Sequence, residues 1–256
     1  MNHYPTDLTE SQWQFIEKIL DDNRKRTHPL RKIWDAIFYV VKTGCQWRML
    51  PLDFAPWSAV YYYFKKWREN GIFEQVLDAL NTVYRKSHGK EEIPSVGIID
   101  SQTVKVAHTC NNEVGYDAGK RIKGRKRHII TDTLGCLLLV VVHGAEIQDR
   151  NGIKMLLPEL KDKIWHGIKK IFADAGYSGL PIIEWTKKNF SWELEIAKRS
   201  ELGKFKVLPK RWIVERTFAW ISFSRRNSKD YERLTQSSQA MTQLAMIRIF
   251  IKRIKK

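Results

Sequence analysis

The sequence predicts an α/β fold, a mixed sheet with flanking helices, preceded by a small all-helical region of helix-turn-helix pattern. Two observations carry this expectation. Through the first ninety residues apolar side chains recur at helical spacing, whereas beyond Ser95 the period changes to short apolar runs ended by turn residues. With 256 residues and 43% hydrophobic content, the chain can form one large domain or two smaller ones and fill ordinary cores. The charged segment 86–94, which contains Gly89, is the expected boundary between a helical region, 1–90, and an α/β region, 91–256.

In the helical region, Thr9 and Gln12 have capping-box spacing ahead of Trp13, Ile16 and Leu20, which share one helical face. A second helix follows Pro29, and its stripe of Leu30, Ile33, Trp34, Ile37 and Val41 stops at Gly44, a helix-ending glycine. Beyond Pro51 and Pro56, Ser58 is placed to cap a third helix in which Val60, Tyr61, Phe64 and Trp67 are apolar and Lys65, Lys66 and Arg68 are basic. Helix, turn and aromatic-basic helix is the pattern of a helix-turn-helix DNA reader; a three-helix bundle with a structural role has the same pattern.

In the second region strands are expected at 95–106, 127–132, 136–142, 168–173 and 192–197, with Leu134-Gly135 turning the chain between the second and third. Asp149 is placed to cap a helix built on Ile153, Leu156, Leu157 and Leu160, and Gly176, Gly179 and Pro181 break the chain before a shorter helix. The terminal helix carries Ala240, Met241, Leu244, Ile247 and Ile251 on one stripe, with a basic tail. Three strands on short links, a crossover helix, a strand, a helix, a strand and terminal helices is the element order of the ribonuclease H fold.

A formal net charge of +17 and a pI near 9.8 suit a polyanionic partner. The excess is C-terminal: +2 over residues 1–95, +5 over 96–200 and +10 over 201–256. Within the middle segment Lys120, Arg121, Lys123, Arg125, Lys126 and Arg127 fall in eight positions, with His128 next. Such a run is commonly a solvated loop; lying between two acidic candidates, it is expected to contact phosphates. Three cysteines with no CxxC spacing argue against a disulfide framework or a cysteine zinc site and suit a reducing compartment. The longest apolar stretch, 136–142, is too short to cross a bilayer, so a cytosolic protein without membrane contact is expected. His108, His128 and His143 are dispersed without metal-ligand spacing, and no GxxxxGK[ST] loop signals a triphosphate site. Most of the ten tryptophans are expected in the core, with some available to stack on unpaired bases.

The chemistry concentrates in three acids. Asp100 ends the run Val96-Gly97-Ile98-Ile99, Asp174 ends Lys170-Ile171-Phe172-Ala173, and Glu215 lies in a predicted helix one turn after Arg211. A carboxylate directly after a buried strand sits at the sheet edge where α/β folds bind ligands. A carboxylate from each of three elements suits two magnesium ions and in-line displacement at phosphorus. Capping of the next turn is the bland role for a strand-ending aspartate, and it accounts for Asp132 and Asp149.

Six motifs occur in order: Thr43-Gly44-Cys45-Gln46-Trp47-Arg48-Met49-Leu50-Pro51, Tyr61-Tyr62-Tyr63-Phe64, Ile99-Asp100-Ser101-Gln102-Thr103, Gly119-Lys120-Arg121 with Lys123-Gly124-Arg125-Lys126-Arg127-His128, Ala173-Asp174-Ala175-Gly176-Tyr177, and Val214-Glu215-Arg216-Thr217-Phe218-Ala219-Trp220. Together, along nearly the whole chain, they resemble transposases of the IS5 family of bacterial insertion sequences, which are DDE enzymes. The resemblance implies a helical region that binds terminal inverted repeats and a ribonuclease H-like domain whose catalytic, metal-holding acids are Asp100, Asp174 and Glu215. It further implies two Mg2+ (or Mn2+) ions, cleavage and strand transfer on double-stranded DNA, a homodimer or larger assembly on DNA, and a bacterial cytoplasmic, nucleoid-associated location. Relatives carry a tyrosine, arginine, glutamate and lysine signature around the last acid. Here Arg211 and Glu215 match, while Leu208 and Ser222 replace the tyrosine and lysine, so the phosphate-holding role usual for that lysine either passes to Arg225 or Arg226 or is missing. The 41 positions from Asp174 to Glu215 leave no room for a large inserted domain. Rival readings are a ribonuclease H-like endonuclease that never joins strands, an inactive copy acting as a DNA-binding repressor, and a packaging protein, against which the ordered acids argue.

Overall fold

The computed structural model describes residues 4–22, 24–108, 110, 112–163, 167–196 and 211–253. Helix α1 (Glu10–Leu20) starts at the expected capping box: the Gln12 N–H donates to Thr9 Oγ1 at 3.4 Å, and the Thr9 N–H to Gln12 Oε1 at 3.1 Å. Helix α2 (Leu30–Thr43) ends at Gly44, whose φ of 73° is left-handed and whose N–H reaches the Val40 carbonyl at 2.9 Å. Helix α3 (Trp57–Glu69) begins one residue before Ser58, behind Pro56 and without a side-chain cap; the fixed φ of the proline presets the entry in place of the expected hydroxyl. A fourth helix, α4 (Ile72–Ser87), follows the turn at Gly71 and adds Phe73, Val76, Leu77 and Leu80 to the core. Trp34 stacks on Trp67 at 5.2 Å and meets Phe73 edge-on at 5.5 Å, so these tryptophans are packing residues.

The sheet contains β1 (Val96–Lys105), β2 (Gly115–Asp117), β3 (Ile122–Thr131), β4 (Leu137–Gly144), β5 (Lys170–Ala173) and β6 (Glu193–Ile196). Strand β3 is antiparallel to β1 on one edge and to β2 and β4 on the other, while β5 and β6 run parallel to β1, giving the order β2-β3-β1-β5-β6 with β4 beside β3. Helix α5 (Asp149–Lys161) makes the crossover, α6 (Leu180–Phe190) joins β5 to β6, and α7 (Arg211–Ser222) and α8 (Thr235–Phe250) follow. This is the ribonuclease H-like arrangement that the element order predicts, with β2 added. The β3–β4 hairpin turns as expected: Gly135 has φ 84°, and Asp132 Oδ1 accepts the Leu134 and Cys136 N–H groups, each at 2.8 Å.

Two corrections concern packing. The basic run forms most of β3 rather than a loop, because its side chains find partners on both faces of the sheet. Helix α8 is enclosed nearly all round instead of showing one apolar stripe, since it lies between α2 and α4 on one side and β4 on the other. Gln239 on α8 donates to the Val140 carbonyl at 3.2 Å, and Asn81 on α4 donates to the Leu137 carbonyl at 2.7 Å. Arg85 on α4 pairs with Asp132 of the hairpin. Helical region and sheet therefore share one continuous apolar core.

Candidate active site

The register of β1 against β5 pairs Val96 with Lys170, Gly97 with Ile171 and Ile98 with Phe172. Continuing that register by two residues sets Asp100 beside Asp174, but only Asp174 stands at a strand end: β1 runs on to Lys105 against β3, so Asp100 lies within its strand rather than closing it as the apolar run suggests. Asp100 Oδ1 accepts the Ser101 N–H at 2.7 Å; burial pushes its pKa up to about 6, and the charge of Asp174 adds to the rise. Asp174 Oδ1 accepts the Gly176 N–H at 2.9 Å and caps the single turn Ala175–Tyr177.

Antiparallel pairing sorts β1 and β3 into two faces. Asp100, Gln102 and Val104 share a face with Ile129, Arg127 and Arg125, while Ser101 and Thr103 share the other with His128 and Lys126. Helix α7 covers the first face, packing on β1 and β3 through buried Ile213, Val214, Thr217 and Ile221. Arg216 and Thr217 hold it to the hairpin by donating to the Leu134 and Gly135 carbonyls at 2.9 and 3.3 Å. Glu215 is exposed on this helix, on the side of the sheet toward which Asp100 projects. Among the described residues, no three His, Cys, Asp or Glu side chains converge into a metal-holding group. Leu208 and the Arg211 side chain lie outside the described residues. Ser222 turns its hydroxyl onto the Phe218 carbonyl at 2.9 Å, so that position supplies no cation.

On the opposite face Asp149 is not the expected N-cap but the first residue of α5. Gln148 occupies the cap, and Asp149 Oδ1 accepts Ser101 Oγ at 2.7 Å and Lys126 Nζ at 3.0 Å. Burial opposes its ionisation, yet these two donors hold its pKa below the usual carboxylate range. Gly176 separates the two acids: a Cβ there would lie 3.0 Å from Asp174 Oδ1 and 3.3 Å from Asp149 Oδ2. The Tyr177 hydroxyl is driven far above its ordinary pKa by burial and then by Asp100, Asp149 and Asp174 together. His128 Nδ1 and His143 Nε2 are 2.8 Å apart with stacked rings, which corrects the expectation of dispersed histidines. Burial lowers both pKa values, so the pair is held neutral. The β3–β4 register brings them together, and neither their spacing nor that of Asp149 shows this in the sequence.

The central part of the basic run requires a further correction. Arg125 is fully buried, donating to the carbonyls of Asn112, Glu232 and Arg233 at 2.6 to 3.2 Å and lying 3.3 Å from Asp230. Arg127 is also buried and donates to the Asn227 carbonyl at 2.8 Å; Lys126 holds Ile147 as well as Asp149. These three clamp the fold and are not phosphate contacts, because buried guanidinium and ammonium groups must be satisfied internally. Lys120, Arg121 and Lys123 stay exposed, and the charge of Lys120 acts on Asp100. Arg225 is exposed, whereas Arg226 is buried, with Nε on Glu232 at 2.6 Å. In α3, Lys65 is exposed and Lys66 half-buried, but Arg68 is committed to Ser237 of α8 at 2.5 Å and to Glu69.

Residues 91–250 match the family described as "Transposase DDE domain", and residues 8–77 match "Putative transposase of IS4/5 family". Over 121 residues the chain is 32% identical to the "Putative transposase for insertion sequence element IS402" of Burkholderia cepacia, covering 43% of this chain and 54% of that protein. The chain thus spans about half the length of this curated relative. With the DDE-domain match extending over more than half of its residues, from the start of the sheet region to the end of α8, the chain belongs to the insertion-sequence transposases with a DDE domain.

Proposed function

We propose that this chain binds the terminal inverted repeats of an insertion sequence and catalyses DNA cleavage and strand transfer through Asp100, Asp174 and Glu215. The observation that carries the reading is the pair of neighbouring carboxylates, Asp100 within β1 and Asp174 just past the end of parallel β5, with Asp100 raised to about pKa 6, in a chain of net charge +17. Neighbouring carboxylates are the donor set of a hard divalent cation. Asp100 and Asp174 would hold Mg2+ or Mn2+, two ions in all, with Glu215 contributing from α7. Bound there, such ions supply Lewis acidity at the scissile phosphate. The chain itself fixes the acids: the Ser101 N–H orients Asp100, and the Gly176 N–H orients Asp174. Exposed Lys120, Arg121, Lys123 and Arg225 are suited to hold phosphates. Hydrolysis frees a 3′-OH at the element end; that hydroxyl then attacks a target phosphodiester, and the target 3′ oxygen leaves. Residues 1–90, with Lys65 and Lys66, are the repeat-reading region and 91–256 the catalytic one. Joining two ends calls for a homodimer or larger assembly. Among the described residues no helix is long and apolar enough to cross a membrane. The substrate of this reading is DNA in the bacterial cytoplasm.

The purified chain, given Mg2+ and a plasmid carrying its coding sequence with native flanking DNA, should cut at the outer ends of the flanking repeats and not in EDTA. Cutting at scattered sites, or cutting that survives the chelator, would contradict the proposal.

A further inference from the structure

A groove of about 530 Å3 separates α3 and the preceding turn from segment 231–237, lined by Trp47, Arg48, Trp57, Tyr61, Tyr231 and Arg233 among others. Its aromatic rings are unusually open: Trp57 is 38% exposed, Tyr61 40% and Tyr231 38%. Trp57 and Tyr61 stand one turn apart on α3 and present one face. Both are held in place, Tyr61 edge-on to Trp47 at 5.3 Å and Trp57 beneath the Arg48 guanidinium at 5.1 Å. The opposite wall is equally fixed, because Arg125 clamps the Glu232 and Arg233 carbonyls to β3 and Arg226 lies 5.6 Å over the Tyr231 ring.

The charge is one-sided. Glu232, the acid in this wall, is buried and paired with Arg226, while Arg48 and Arg233 are exposed and form no ion pair with a carboxylate among the described residues. Rigid aromatic faces beside open guanidinium groups, with no free acid, complement a planar ring carrying an anion. A base inside a duplex has both faces covered by its neighbours, so only an unpaired base can offer its face here. The groove also lies on the face of the sheet that carries Asp100: Arg125, which anchors its wall, is four residues along β3 from Ile129, the cross-strand partner of Asp100, about 13 Å at strand spacing.

We propose that this groove holds an unpaired nucleobase of the DNA strand engaged at Asp100 and Asp174, stacked on Trp57 and Tyr231, with its phosphate on Arg48 or Arg233. The proposal rests on the DNA-processing function above. Fluorescence anisotropy with the full chain at fixed salt should show a short oligothymidylate binding on the order of tenfold tighter than an abasic strand of equal length. Trp57→Ala and Tyr231→Ala should each abolish that preference, leave abasic-strand and flanking-repeat duplex binding unchanged, and melt as the unaltered chain does. Trp57→Phe should retain most of it. Equal binding of both strands by the unaltered chain, or a preference that survives both alanine variants, overturns the proposal. If the variants instead lower the sedimentation mass while the preference persists, the face belongs to a second copy of the chain. A chain that cuts flanking repeats without base preference loses this proposal alone; a chain that binds no DNA loses the proposed function as well.

Discussion

Asp100→Asn should lower DNA cleavage on the order of a thousandfold, the scale of losing one preorganised electrostatic group at a reacting centre, while making the metal-free chain more stable at neutral pH. The two effects share a cause. In the folded chain the Asp100 pKa rises from 3.8 to about 6, chiefly through burial, so ionising this group opposes folding. The penalty is absent below the unfolded value, grows as pH rises between the two and is complete above about 6. At roughly 1.4 kcal/mol per unit it amounts to about 3 kcal/mol at most. Melting both chains from acid to neutral pH without divalent cations should show the variant gaining stability only as pH rises. Mg2+ should then raise the melting temperature of the unaltered chain and not that of the variant. Asp174→Asn and Glu215→Gln should lose cleavage likewise. Normal cleavage by any one variant would remove that residue from the site, and a neutral-pH loss of stability in Asp100→Asn would contradict the electrostatic reading.

Arg125→Gln should destabilise the fold by about 3–5 kcal/mol, the cost of breaking a buried charge network from one side. The guanidinium satisfies three backbone carbonyls and faces Asp230, and glutamine cannot reach them all. Arg125→Lys should restore little, since an ammonium lacks the planar fork. Replacing exposed Lys120, Arg121 and Lys123 by Gln should leave stability nearly unchanged and flatten the salt dependence of DNA binding by roughly 0.9 for each phosphate no longer neutralised. Denaturation curves and a salt series read both effects. A stable Arg125→Gln chain with a flattened salt slope would return Arg125 to the DNA surface.

Local signals were the legible ones. The capping box at Thr9, the glycine stop at Gly44 and the hairpin at Gly135 depend on neighbours within a few positions, and each occurs as expected. Asp100 and Asp174 were legible because each directly follows an apolar run, although β1 continues past Asp100 to Lys105 and only Asp174 stands at a strand end. What the sequence concealed is set by distant partners. Six cations within eight positions read as a run of phosphate contacts, yet Arg125 and Arg127 donate to carbonyls about a hundred residues downstream. Asp149 read as a cap because its partners Ser101 and Lys126 arrive through sheet register. The burial of α8 nearly all round follows from the helical region closing over it, which periodicity within the helix does not encode.

Strand joining tests the proposed chemistry most directly. A duplex ending at the terminal repeat with a free 3′-OH is incubated with the full chain, Mg2+ and a circular target, and the DNA is examined for covalent joining through that 3′ end. The expected result is a joined product that disappears with a 3′-dideoxy end and with Asp174→Asn. Hydrolysis of the repeat without any joined product would contradict strand transfer and leave a nuclease; binding with neither reaction would leave a repressor.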